Sequence, residues 1–340
     1  MQTSELRDLV NSTALDFVRD QWAQLGVFME PSRPPDRWAQ DPEALLAFSL
    51  DIARADARLF DEILDWLRAN GGRLSGRRLR HLAHNDGLDG ALVAAAVDWA
   101  AGHGSSLRLR PDGRPFPAEP VSVFERPGVP GREDEIFLRH GLAKPPTRPS
   151  GKSSAPDGLL PINLAFRLRD MFGVTSRAEI IRFLLTTGVP NATTLAISEA
   201  AVSTKRNAND ALNELSRAWV VERHFVGNEA RYGVDRARWS SFLDVPPETI
   251  STYLDWPALL RAVGEIRRWL ETPGVNDLTD YLRASEARRL VSQVKPNLER
   301  SGVLVSERGL AEEYWPSFVQ TVENALRLLA PATKETGPNL

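Results

Sequence analysis

The sequence predicts a mainly α-helical protein with short β-hairpins. Over most of the chain, apolar residues recur at intervals of three and four, which is the spacing of the buried face of a helix. The alternating apolar and polar runs are short and lie beside glycine or proline, as hairpin strands do. A hydrophobic content of 42% is sufficient for packed cores and too high for general disorder.

Residues 1–126 are predicted to form an N-terminal helical domain. The run Asp41-Pro42-Glu43 combines an N-cap, a first-turn proline and an early acid, so a helix is expected to begin there. Helical spacing predicts three helices farther along, and alternation predicts two strands after them. These five elements span 58–70, 75–84, 89–102, 106–110 and 121–125.

A change of composition separates this domain from the next. Residues 127–158 are dominated by proline, glycine, serine and charge, as in "AKPPTRPSGKSSAPDG". They are predicted to form a linker with little regular structure, apart from a small docked piece at Glu135–Gly141. At the other end of the chain, residues 331–340 are predicted to be a flexible tail.

The segment 159–245 carries the most detailed pattern. Ser176 and Glu179 have the spacing of a capping box, which is expected to open a helix that Gly188 closes. Three further helices and a hairpin are also predicted in this segment, and Ser203 is expected to be the N-cap of the last helix. The helices span Leu159–Met171, Thr194–Ala200 and Thr204–Ala218, and the hairpin turns at "VGNEA" (226–230).

The order of helices followed by a hairpin resembles the winged helix-turn-helix of the bacterial MarR-like and ArsR-like transcription regulators. The resemblance covers residues 159–245 only. Such regulators usually have glycine after the third helix, whereas this chain has Trp219. The residues that carry the resemblance are Ile197, Ala200, Ala201, Ser203-Thr204-Lys205-Arg206, Ala208, Leu212, Leu215 and the run "AWVVERHFVGNEARYGV".

A second copy of this pattern is predicted over 246–330. "LSRAWVV" from Leu215 aligns with "LERSGVL" from Leu298, and the same offset matches three helices and a strand. Those elements span 259–270, 277–282, 285–300 and 303–305, with a kink expected at Pro296. The N-terminal domain has the same outline. The chain is therefore predicted to be a tandem of winged-helix-like modules, the middle one clearest.

The helix after Ser203 has the residue types of a DNA-recognition helix. Apolar side chains recur along one face, from Ala208 to Leu215, and polar ones occupy the other. Recognition helices place their N-terminal residues nearest the base edges; Lys and Arg neutralise phosphates or bind guanine, and Asn binds adenine. Asparagine is a poor helix former, so helix stability does not explain three of them on this face. The candidate DNA-binding residues are Ser203, Thr204, Lys205, Arg206, Asn207, Asn209, Asn213 and, beside the hairpin tip, Arg231.

Charge supports this interpretation weakly. The whole chain has a net charge of −3, but residues 159–243 contain 11 Lys and Arg against 8 Asp and Glu, a net charge of +3. A second basic cluster, "GRLSGRRLRHLAH" (72–84), contributes Arg73, Arg77, Arg78 and Arg80, which contact phosphates, contact the acidic face of a partner protein, or form a solvated helix face.

Other chemistries have little support. The sequence has no cysteine, no phosphate-binding or dinucleotide-binding glycine motif and no hydrolase motif. His81 and His84 have no third ligand nearby except Asp86, so no metal, cofactor or catalytic residue is predicted. The nine tryptophans are expected in helical cores, with a pocket or dimer seam at Trp256, Trp269, Tyr314 and Trp315 as the alternative.

These patterns lead to a functional hypothesis with two rivals. The hypothesis is a sequence-specific regulator of transcription in the bacterial cytoplasm, a homodimer that binds double-stranded DNA. Neither a signal peptide nor a transmembrane run is expected. The first rival is a protein-interaction module, or an antitoxin-like regulator that docks a separate effector protein, which the negative net charge favours. The second is an enzyme with an unfamiliar site.

Overall fold

The computed structural model describes residues 1–31, 38–85, 90–110, 119–125, 131–309 and 311–330. Within these ranges the protein is mainly helical, with 63% helix in 14 helices and a few short strands. The predicted fold class is confirmed at this level. The predicted tail, 331–340, and Asp86 lie outside the described residues.

Five helices form the N-terminal region. They are α1 (Thr3–Gln24), α2 (Pro42–Ile52), α3 (Ala57–Asn70), α4 (Gly76–Asn85) and α5 (Gly90–Gly102). Asp41 caps α2 as predicted, because its carboxylate accepts a hydrogen bond from the Ala44 amide at 3.1 Å. The predicted strand at 106–110 is absent.

The second predicted strand pairs with a partner from the linker rather than with 106–110. β1 (Val121–Ser122) lies parallel to β2 (Leu142–Ala143), and α6 (Glu135–Leu138) connects them. The Arg54 guanidinium donates to the carbonyl oxygens of Ser122 and Val123 at 3.1 and 2.9 Å. These bonds satisfy carbonyl oxygens to which the amides of a hairpin partner would otherwise donate.

The rest of the linker is docked although it lacks regular structure. The Asp65 carboxylate of α3 accepts hydrogen bonds from the Ser150 hydroxyl and from the Gly151 and Ser153 amides. Ser154 adds two backbone contacts, one to Gly26 at 2.8 Å and one to the Asn70 side chain at 2.9 Å. The linker is therefore fixed along α3.

The middle unit has its own apolar core. Its elements are α7 (Leu164–Phe172), α8 (Ser176–Thr187), β3 (Ala192–Thr193), α9 (Thr194–Ala200), α10 (Lys205–Arg217), β4 (Glu222–Val226), β5 (Glu229–Gly233) and α11 (Arg236–Leu243). The strands form an antiparallel sheet in the order β3–β5–β4. The core beneath this sheet includes Leu168, Ile181, Leu184, Ile197, Leu212 and Tyr232.

The C-terminal helices return to the N-terminal ones. They are α12 (Trp256–Glu271), α13 (Asp280–Arg300) and α14 (Tyr314–Leu329). Trp256 is fully buried; its ring lies 5.2 Å from that of Phe17, and its indole N–H donates to the Ala39 carbonyl at 3.0 Å. The regions predicted as separate first and last domains thus share one apolar core.

Of the predicted elements of the C-terminal copy, the helix 259–270 is observed within α12, and the other three are not observed as predicted. The expected helices 277–282 and 285–300 are one continuous helix, α13, which Thr279 caps. Pro296 lies inside this helix, and residues 303–305 form no strand. Ala284, Ala287, Val291, Val294 and Leu298 give α13 an unbroken apolar face, which explains why the helix continues.

No helix among the described residues has the length and apolar character needed to span a bilayer. The same residues contain no cluster of three or more potential metal ligands.

Candidate nucleic-acid interface

Helix α10 begins one residue later than its sequence predicts. Thr204, not Ser203, is the N-cap, and its hydroxyl accepts a hydrogen bond from the Asn207 amide at 3.2 Å. Val202 is left-handed, with φ 48°, so the chain turns sharply between α9 and α10. The Ser203 amide closes this turn on Ser198 at 2.9 Å, and its hydroxyl is enclosed without a partner.

The two faces of α10 differ as the sequence predicts. Ala208, Ala211, Leu212 and Leu215 are buried against the middle unit. On the other face, Thr204 to Asn207 are exposed and Asn209 is half-buried. The predicted residues Thr204, Lys205, Arg206 and Asn207 therefore form one accessible surface at the start of the helix. We call these four residues the α10 tip.

Asn213 lies outside the α10 tip and contacts the hairpin instead. Its side-chain oxygen accepts a hydrogen bond from the Arg223 guanidinium of β4 at 3.2 Å. The same guanidinium lies over the Phe225 ring, 5.0 Å from its centroid. Asn213 thus holds the hairpin beside the helix.

Arg231 is in the hairpin, where the sequence places it, but its charge is compensated. Its guanidinium donates to the Glu229 carboxylate at 2.8 Å, and its Nε atom is enclosed without a partner. The two strands join at Gly227 and Asn228, a two-residue turn in which Gly227 has φ 61°. This turn brings Glu229 and Arg231 to the same end of β5.

Trp219 occupies the position where the resemblance predicts glycine, and its backbone has the conformation that favours glycine. Its φ is 56°, in the left-handed region, and its side chain is 80% exposed. The Trp219 and Val220 amides donate to Ser216 and Leu215, which closes the end of α10. Helix α10 therefore ends in the left-handed conformation that glycine usually supplies. Here the residue is Trp219, for which that conformation is unfavourable.

The predicted capping box at the start of α8 does not form. Thr175 is the N-cap, without a side-chain bond, and the Glu179 carboxylate points inward to Arg169 and Arg182. The Glu179–Arg169 distance is 2.7 Å and the Glu179–Arg182 distance is 3.0 Å. A buried carboxylate that has two guanidinium partners gains more from them than from one backbone amide.

Glu179 belongs to a closed ring of six buried charges between the N-terminal region and the middle unit. Each acid contacts two arginines and each arginine contacts two acids, at distances up to 3.4 Å. We call it the charge ring; its members, in order, are Asp41, Arg78, Glu43, Arg169, Glu179 and Arg182.

The charge ring changes the interpretation of the second basic cluster. Arg78 is 2% exposed and cannot reach a phosphate, and Arg73 is paired with Asp170. Arg77 and Arg80, by contrast, are exposed on α4. The Arg78 guanidinium also donates to the Ala200 carbonyl at 3.3 Å, so α4 lies beside the turn that leads into α10.

Electrostatics in the charge ring are set by mutual neutralisation. Burial alone favours the neutral form of Glu179, but the guanidinium groups of Arg169 and Arg182 hold its pKa far below the ordinary value of 4.5. The Glu179 carboxylate is therefore expected to stay charged near neutral pH.

Sequence reasoning missed the charge ring, although two signals were present. Asp41 and Glu43 occupy the N-cap and first turn of α2, where acids are common, and Glu179 and Arg182 stand three residues apart on α8. Both patterns have common explanations within one helix. Only the packing of α2 and α4 against α7 and α8 shows that their charges meet.

Comparisons with models of known protein families, with curated proteins and with solved structures gave no match to this chain.

Proposed function

We propose that this protein is a sequence-specific DNA-binding regulator of transcription and that residues 164–243 form a winged helix-turn-helix. The observation that carries the proposal is the element order α7–α8–β3–α9–α10 followed by the β4–β5 hairpin, with the strand order β3–β5–β4. In helix-turn-helix proteins the recognition helix enters the major groove and points its N-terminal residues at the bases.

The chemistry of the α10 tip supports this role. Lys205 and Arg206 are exposed and can neutralise phosphates or bind guanine, while Asn207 has the donor and acceptor pair that matches adenine. Arg77 and Arg80 on α4 extend the positive surface beyond the turn. We propose that two copies bind near-palindromic sites in cytoplasmic DNA, because two-fold symmetry is the usual geometry of such domains.

Binding of the full chain to labelled duplexes tests the proposal. We expect Lys205→Ala with Arg206→Ala to weaken binding to every sequence and to reduce the slope of log affinity against log salt by about 1.8, for two lost phosphate contacts. Arg58→Ala with Arg289→Ala is the matched control, because both residues are exposed and lie on α3 and α13. If the first pair binds DNA like the control pair between about 50 and 200 mM salt, the proposal is wrong.

A second measurement separates sequence recognition from charge. Selection of bound duplexes from a random pool, repeated with Asn207→Ala, is expected to change the preferred bases while the salt dependence stays the same. An unchanged consensus would remove Asn207 from the recognition surface.

A different observation favours the docking alternative. Large apolar side chains are exposed around α11: Trp219 is 80% exposed and Phe242 is 63% exposed. Both are attached to this helix, since Arg238 donates to the Trp219 carbonyl at 3.1 Å and Trp239 packs edge-on against Phe242. If full-length protein is not retained on heparin at about 50 mM salt, a module that docks a separate effector protein becomes the better proposal.

A further inference from the structure

A cavity of about 260 Å³ lies where the middle unit meets the other helices. Its walls come from α4, from the turn between α9 and α10, from α12 and from the end of α13. Polar groups line it on several sides, among them Arg182, Tyr253, Asn297 and Arg300. Its volume suits a small metabolite rather than a nucleotide or a peptide.

Three arginines line the cavity: Arg261, which is paired with Glu265 at 3.2 Å, and Arg182 and Arg300, which face the proposed ligand. Arg182 is 2% exposed and uses Nε and Nη2 for its contacts with Glu179 and Asp41. Arg300 uses Nε and Nη2 for Asp255, at 3.1 and 2.8 Å. In both side chains Nη1 makes none of these contacts, and it remains as a donor for a ligand.

Two of the three acids that line the cavity already have partners, and the third, Glu199, is exposed to solvent. Asp41 accepts from Arg78 and Arg182 in the charge ring. Asp255 accepts from Arg300 and also caps α12 through the Ala258 amide at 3.1 Å. Their charge is therefore compensated within the protein, whereas the arginines keep unused donors.

Neutral donors add to this arrangement. Asn297 is half-buried on α13 and projects its amide from the same helix as Arg300. Tyr253 is protonated at neutral pH, as any tyrosine is, and burial together with the nearby Asp255 carboxylate raises the pKa of its hydroxyl further. A phenol that stays protonated is a hydrogen-bond donor to an anion.

We propose that this cavity is a binding site for a small organic anion, whose carboxylate or phosphate group accepts hydrogen bonds from Arg182 and Arg300 and is flanked by Asn297. Each arginine offers its Nη1 group, and a hydrogen bond from a guanidinium to a charged oxygen is stronger than one between neutral groups.

The cavity also borders the proposed DNA-binding surface. Glu199, Ala200 and Val202 form its wall on the side of the turn that leads into α10. An anion that draws Arg182 or Arg300 toward it therefore acts next to the α10 tip. Coupling of anion binding to DNA affinity rests on the proposed function, whereas binding of the anion does not.

Calorimetric titration of the full chain tests the binding itself. The probes are succinate, citrate, glutamate and inorganic phosphate, each against sodium chloride of equal ionic strength. We expect at least one probe to bind, and Arg300→Gln to weaken it by about tenfold or more. Asn297→Leu, which narrows the cavity and keeps the ion pair of Arg300, is expected to weaken the same probe.

The matched control is Arg289→Gln, an exposed arginine of the same helix that does not line the cavity. If none of the four probes binds more tightly than chloride, the proposal is overturned. Equal binding by the Arg300→Gln, Asn297→Leu and Arg289→Gln variants also overturns it. Binding of phosphate alone, or of the carboxylates alone, supports the proposal and identifies the group.

A second arm repeats the DNA titration with the bound probe present. A changed DNA affinity in the wild type, absent in Asn297→Leu, shows that the site is regulatory. Anion binding without any DNA binding rejects the proposed function and leaves the anion site standing.

Discussion

Arg78 and Ala200 are 122 residues apart in the chain and are joined by a hydrogen bond of 3.3 Å from guanidinium to carbonyl. Arg78 is also a member of the charge ring, so this bond connects six buried charges to the end of α9. The turn before the α10 tip is therefore held by α4 as well as by its own backbone. Because of this contact, we expect substitutions on α4 to affect the proposed DNA-binding surface.

Breaking the charge ring is predicted to be costly. Arg169→Gln leaves Glu43 and Glu179 buried with one arginine partner each, and we expect the free energy of unfolding to fall by about 3–5 kcal/mol. Urea denaturation of the full chain measures this. The matched control is Arg177→Gln, whose ion pair with Glu214 is exposed and is expected to contribute less than about 1 kcal/mol. Equal losses in the two variants would contradict the prediction.

Acid is predicted to destabilise the protein through Glu179. Its pKa is lowered in the folded state, so its stabilising contribution is present above its unfolded pKa, near 4.5, and is lost as pH falls below that value. We expect the free energy of unfolding of Glu179→Gln to depend less on pH below about 4.5, by up to about 1.4 kcal/mol per pH unit. Glu312→Gln, an exposed acid, is the control. A slope that is the same in both variants would exclude Glu179 as the cause.

The left-handed backbone of Trp219 gives a prediction with an unusual sign. Because the side chain is exposed and glycine adopts this conformation without cost, Trp219→Gly is expected to stabilise the protein by about 1 kcal/mol. Trp219→Ala keeps the unfavourable φ and is expected to gain nothing. Thermal unfolding compares the two variants, and an alanine variant as stable as the glycine variant would refute the backbone explanation.

The ion pair in the hairpin predicts a gain of DNA affinity. Glu229→Gln removes a negative charge and releases the Arg231 guanidinium, so DNA binding at low salt is expected to strengthen and its salt dependence to steepen by about one phosphate contact. Fluorescence anisotropy with labelled duplex measures both quantities. Glu312→Gln, far along the chain in the C-terminal region, serves as the control. Weaker binding by Glu229→Gln would mean that Arg231 is not near a phosphate.

Local patterns predicted local structure well. The start of α2 at Asp41, the amphipathic face of α10 and the place of the hairpin turn within 226–230 each depend on interactions within a few residues, which the sequence displays directly. Trp219 is instructive, because the sequence departs from the glycine pattern while the backbone keeps its left-handed conformation.

Predictions failed where a side chain's role depends on a partner that the local pattern does not include. Glu179 has the spacing of a capping box, but arginines on α7 and α8 bind its carboxylate. The residues around Arg78 in the sequence are those of a surface helix, but in the structure its side chain is buried and paired with Asp41 and Glu43. Such contacts depend on how one helix packs against another, and periodicity within a helix carries no information about them.

The shared core of the first and last helices has a consequence for synthesis. The indole of Trp256 bonds to Ala39, 217 residues earlier in the chain. During translation, α1 and α2 therefore emerge long before α12 exists, and their apolar faces remain uncovered while the middle unit is being made. The middle unit has its own core and can fold in that interval. We expect nascent chains to pass through a state in which the middle unit is folded while the apolar faces of α1 and α2 are still exposed. A chaperone would be needed most in that state.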